Sequence, residues 1–119
     1  MANQWSVQHT PTAATQATIT KAAVAGTRHV CDSITATIAC GATAQTPINV
    51  VLRDGASGVG AILWSAKLSA PVNSMADIEL ESLGIIGTSG NAMTLEFTAA
   101  GVAASEEAVS MVGYDIVSS

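Results

Sequence analysis

Charge is the first thing this sequence has little of. Aspartate, glutamate, lysine and arginine make up 11% of the 119 residues, against about 25% in an ordinary soluble protein. Only four are basic, Lys21, Arg28, Arg53 and Lys67, and the net charge is −5. Nucleic-acid binding needs clustered lysine and arginine to displace counterions from phosphates; four scattered cations exclude such a groove. Aromatics are also scarce, with two tryptophans, one tyrosine and one phenylalanine. No apolar run approaches the roughly 18 residues that span a bilayer. The N-terminal stretch MANQWSVQHTPTAATQ has neither the basic n-region nor the apolar h-region of a secretory signal, so synthesis in the cytoplasm without Sec export is expected.

Cysteine occurs twice, at Cys31 and Cys40. On one extended strand this separation spans about 30 Å, far beyond disulfide reach. An odd offset also predicts opposite strand faces. Both are therefore expected as buried free thiols. Neither has the closely spaced partners that a zinc site needs.

What is abundant is alanine, threonine, serine, glycine and valine, a composition that suits pleated sheets and tight turns. The chain length suits one domain. Residues 1–16 have no periodicity and carry one large apolar side chain, Trp5, so an extended N-terminal arm is expected there. From residue 17 onward the pattern alternates. HVCDSITATIAC places Val30, Ile34, Ala36, Ile38 and Cys40 on one face, interrupted by Asp32. PINVVLRD, AILWSAKLSA, ADIELESL and AMTLEFTA repeat the period of two, and ATITKAAV does so weakly. In AVSMVGYDIV, a bulge at Gly113 would switch the buried face from Val109 and Met111 to Val112, Tyr114 and Ile116. Trp64 reads as a core side chain beside Ile62 and Leu68. Ser105 would cap a single helical turn in FTAAGVAASEEAV. Short strands separated by Gly, Pro, Asn and Ser predict an all-β fold: a single β-sandwich, jelly-roll or immunoglobulin-like, of about seven to eight short antiparallel strands over residues 17–119.

Three stretches invite a chemical reading. DGASGVG, residues 54–60, has the glycines of a phosphate-binding loop. Such a loop needs a following helix and a terminal Lys-Ser or Lys-Thr. Here an alternating strand follows, so a hairpin turn is expected. Asp77, Glu79 and Glu81 project from one strand face. They read as a solvated or edge-guarding row, with calcium ligation or subunit contact as alternatives. His9 and His29 lack a nucleophile elbow of the G-x-S-x-G kind, so no hydrolase, no catalytic residue and no cofactor are expected.

The stretches GTRHVCDSITATIACGATAQTPINVVLRDGASGVGAILWS and AMTLEFTAAGVAASEEAVSMVGYDIV resemble small virion structural proteins of tailed bacteriophages and prophages. VVLRDG, a glycine-rich loop and ILWS carry most of the likeness, which covers roughly residues 26–117. The resemblance implies a non-enzymatic capsid decoration (cement) protein on the virion exterior. Its partner would be the major capsid protein, and it would form a homo-oligomer, with a trimer favoured. A tail, fibre or host-recognition module binding a cell-surface ligand is the alternative. The resemblance carries over no site residues. Trp5 and Val7 on the arm, with Asp77, Glu79 and Glu81, are the expected partner contacts.

Overall fold

The computed structural model describes residues 3–117. Nine strands follow in chain order: β1 (Asn3–His9), β2 (Thr18–Lys21), β3 (Thr27–Ala39), β4 (Gln45–Asp54), β5 (Ala61–Ala70), β6 (Met75–Leu80), β7 (Ile85–Ile86), β8 (Met93–Phe97) and β9 (Glu106–Val117). They form two antiparallel sheets. The first, sheet A, runs β1-β9-β3-β6, with β7 also paired to β3; the second, sheet B, runs β2-β8-β4-β5. Successive strands thus alternate between sheets at the start and end of the chain, with β9 between β1 and β3 and β8 between β2 and β4. This interleaving is the double Greek key of a jelly roll, which selects that arrangement over the immunoglobulin-like one.

The core lies between the sheets. Ile34, Ala36 and Ile38 of β3, Val50 and Leu52 of β4, Met93, Leu95 and Phe97 of β8, and Val109 and Met111 of β9 are all buried there. Trp64 packs against this cluster from β5, as the alternation predicts, but Ile62, expected beside it, is exposed because the register with β4 shifts between Leu52 and Arg53.

Four local expectations are revised. Residues 3–9 do not stand off as an arm. They are extended, but pair along β9 from Asn3↔Asp115 to His9↔Val109 as an edge strand of the sandwich. Gly113 does not switch the buried face of β9, which keeps Glu107, Val109, Met111 and Gly113 inward. The irregularity is in the partner strand, where the register shifts between Cys31 and Ser33. The extra residue at Asp32 reverses the parity of β3. Cys31 and Cys40 consequently share the core instead of opposite faces; both are buried free thiols. Ser105 caps no helix: its N–H (3.0 Å) and Oγ (2.6 Å) both donate to the Val102 carbonyl, closing a turn.

Gly113 is required by packing. A Cβ there would collide with the Val30 carbonyl and the Trp5 ring. The indole of Trp5, paired in register with Gly113, occupies the space that a side chain would take.

Candidate functional site

The outer face of sheet A combines a shallow trough with a group of exposed apolar side chains. Residues paired across an antiparallel ladder share a face, so its composition follows from the register. In one half, Gln8 faces Ser110, Ser110 faces Thr35, Ala108 faces Thr37, and Thr35 and Thr37 face Glu79 and Asp77. Gln8, Thr10, Thr35, Thr37, Ala108 and Ser110 line a shallow trough of about 140 Å³. Small side chains on the two central strands make the depression, and hydroxyls line it. In the other half Ile86, Val30 and Tyr114 form one row across β7, β3 and β9, with Val30 itself buried and Ile86 exposed. Val112 and Ile116 are exposed beside it. From residues 35 to 39 and 108 to 112 the two central strands carry no charged side chain.

The structure separates the sequence-predicted contact residues into two groups at opposite edges of sheet A. Asp77 and Glu79 are exposed on β6, and exposed Glu81 follows its last residue. Among the described residues no group of three or more His, Cys, Asp or Glu side chains converges as metal ligands do. Trp5 and Val7 lie on β1, three strands away, and turn inward. Trp5 is only 9% exposed and Val7 packs against the core. The Trp5 indole sits edge-on to His29 at 5.9 Å between ring centroids. Its Nε1–H donates to Asp115 Oδ1 at 2.8 Å, and Lys21 Nζ lies 5.8 Å over the ring. Trp5 is therefore a core anchor of its own chain, because Gly113 leaves room for it.

Sequence reasoning missed the buried polar groups. Glu96 alternates onto the outer face of sheet B, yet is 1% exposed, because the glycine-rich loop 54–60 folds over it. Its carboxylate accepts hydrogen bonds from Arg53 Nε (2.8 Å), Gly58 N–H (3.0 Å), Thr18 Oγ1 (2.9 Å) and Ser57 Oγ. Gly58 holds φ at +72°, a conformation that glycine adopts without a Cβ penalty. The loop does cradle an anion, but the anion is the chain's own carboxylate. Burial works to raise the Glu96 carboxyl, and the hydrogen bonds from Ser57, Arg53, Gly58 and Thr18 outweigh it, holding it below the usual range. Asp54 is set the same way: burial is outweighed by Thr88 and Asn91 hydrogen bonds and by the nearby Arg28 charge.

His29 is also missed as a core group. Its Nε2–H donates to the Ala22 carbonyl at 2.7 Å, and its Nδ1 is hydrogen-bonded to Asp115 Oδ1 at 2.6 Å. Both ring nitrogens are thus committed to fixed partners, neither of them a hydroxyl. His9 Nδ1 accepts from the Thr18 N–H. The Cys31 thiol is pushed up to about 12 by burial and, secondarily, by Asp32, which keeps it protonated and unreactive. Glu107, 2% exposed, accepts only the Ala17 N–H through Oε1, and its Oε2 has no partner. No local signal marks Glu96, Glu107 or the His29–Asp115 pair, since Arg53, Ala17 and Asp115 reach them from 43 to 90 residues away in sequence.

No protein-family model matches the chain, and no curated protein matches it. Some solved structures match the chain at low similarity. A carbohydrate-binding module, CBM4, is 12% identical with a TM-score of 0.44 over 83% of this chain; the chain spans 60% of that protein's length. The CsCBM6-3 module from Clostridium stercorarium, solved in complex with cellobiose, is 12% identical with a TM-score of 0.41, covering 98% of this chain and 81% of that one. The tobacco streak virus coat protein is 8% identical with a TM-score of 0.40, covering 94% and 85%. The structural neighbours thus include a viral coat protein as well as carbohydrate-binding modules, and likenesses this distant carry no role over to this chain. No helix among the described residues is long and apolar enough to cross a membrane.

Proposed function

We propose that this protein is a non-enzymatic virion structural protein that binds the outside of a phage shell through the outer face of sheet A and stabilises it. The supporting observation is the makeup of that face. Its centre is uncharged, built of small aliphatic and hydroxyl side chains on rigid paired strands, with exposed valine and isoleucine at one end. Such a surface binds by shape, with contacts that salt screens little. The buried His29 and Glu96 are each paired with a part-buried partner, Asp115 and Arg53, which fits a stable scaffold better than a catalytic centre. The partner in this reading is the major capsid protein, and stable contacts of this kind bury about 1,200–2,000 Å² in total.

Glycan recognition is less well supported. Sugar stacking uses exposed aromatic faces, and three of the four aromatics of the chain belong to or pack on the core. Phe97 and Trp5 are buried, Trp64 packs on the core, and Tyr114 is half-buried.

The test is sedimentation of purified protein with shells of the encoding phage that lack it. Saturable binding at a fixed copy number, with DNA release shifted to higher temperature, is expected. Thr37→Lys, which puts a charge in the centre of the face, should weaken binding at least tenfold while leaving the β-sheet circular dichroism unchanged. Attachment to tails or host cells, with none to shells, would refute the reading.

A further inference from the structure

Among the described residues five strands end a sheet: β1, β6 and the two-residue β7 in sheet A, and β2 and β5 in sheet B. An open edge is a template for pairing with another chain, and soluble proteins guard such edges with charge, proline, bulges or short length. Four of the five are guarded, β7 by its two-residue length. β6 carries Asp77 and Glu79, β5 carries Lys67, and β2 is four residues long and carries Lys21. β1 reads Asn-Gln-Trp-Ser-Val-Gln-His. It has no Asp, Glu, Lys, Arg or Pro, and its seven-residue register with β9 is unbroken.

β1 is also nearly symmetric about Ser6, with glutamine at positions 4 and 8 and apolar Trp5 and Val7 between. A two-fold contact uses the same patch on both partners and so must be self-complementary. Antiparallel pairing centred on Ser6 sets Gln4 opposite Gln8 of the second copy, and a glutamine amide can both donate and accept. It sets Trp5 opposite Val7 and brings no formal charges together. The same operation on β6, centred on Ile78, would set Asp77 against Glu79 of the second copy, a repulsive pair.

We propose that the open edge of β1 is a dimerisation site for a second copy of this chain, paired antiparallel about Ser6 so that two A sheets become one continuous sheet. This replaces the threefold assembly expected from sequence with a twofold contact. It goes beyond the shell-binding reading and does not depend on it: a dimer that ignores shells leaves this proposal intact.

Cysteine cross-linking of the full chain tests it. Gln4, Ser6 and Gln8 are exposed, and the native Cys31 and Cys40 are buried. Directly opposed residues in an antiparallel pair have Cα atoms about 4.5–5.5 Å apart, within disulfide reach. Under oxidised glutathione, Ser6→Cys is expected to form an intermolecular disulfide at least tenfold faster than Ser65→Cys, an exposed control on β5. Gln4→Cys should link to Gln8→Cys when the two proteins are mixed, and neither should link to itself at that rate. Ser6→Lys should raise the dimer dissociation constant at least tenfold with the circular dichroism spectrum unchanged. Cross-linking of Ser6→Cys no faster than the control, self-linking of Gln4→Cys or Gln8→Cys as fast as the mixture, or a native mass of three chains would overturn the proposal.

Discussion

Glu96 and Glu107 are both buried carboxylates, and their surroundings set them in opposite directions. Glu96 has four donors around it, so its charged form is favoured. Its stabilising contribution is present at neutral pH and is lost as pH falls into the acid range. Glu96→Ala would strip Arg53 of its partner and release loop 54–60. Breaking a buried ion pair of this kind costs about 3–5 kcal/mol, which urea denaturation would read. Glu107 is pushed up from 4.5 to about 7 by burial, which the single Ala17 hydrogen bond does not offset. Between those values the folded chain keeps a proton that the unfolded chain has released. Stability therefore falls as pH rises across that window and levels off above it. Glu107→Gln, which can still accept the Ala17 N–H, should abolish that fall in a series of thermal melts. Neither setting was legible in the sequence. In AMTLEFTA, Glu96 sits where a solvated residue belongs, and only a loop contributed from some forty residues upstream makes it a core group.

At the scale of the element, alternation located the strands well, because residues such as Ile34, Ala36 and Ile38 face a core on one side and hydroxyls on the other. It failed where parity changes within a strand. The extra residue at Asp32 puts Cys31 and Ile34 on the same side, and one residue's slip is enough to exchange the faces. It failed again at β1, whose glutamines, serine and asparagine hide the alternation of Trp5 and Val7. Gly113 ties these two features together. Its inward face meets the Trp5 ring on one side and the Val30 carbonyl on the other. Gly113→Ala should lower the denaturation midpoint sharply. Adding Trp5→Ala should not restore it, since the carbonyl clash is with backbone. Recovery in the double variant would show that the ring alone imposes the requirement.

At the scale of the whole molecule, the sandwich class was readable and the strand order was not. The class follows from the number, length and spacing of alternating segments. The order depends on pairings such as β1 with β9, between residues more than a hundred positions apart, for which no local pattern exists. The contact surface lies between these cases. Its hydroxyls and valines are visible in the sequence, but Thr35, Ser110 and Gln8 become one trough only through the ladder that aligns them. Of Asp77, Glu79 and Glu81, read from sequence as one acidic row, Asp77 and Glu79 lie beside Thr37 and Thr35 at the edge of that surface, while Trp5 belongs beneath it.

The antiparallel pairing of β1 with β9 also makes the molecule's resistance to force depend on direction. Asn3 lies opposite Asp115, so a pull between residues 3 and 117 acts at one end of the ladder and opens its hydrogen bonds one after another. A pull between residues 9 and 117 acts along the strands from opposite ends. It loads bonds that lie perpendicular to the strands all at once. Tethered in a single-molecule force experiment, the first geometry should yield at a markedly lower force than the second.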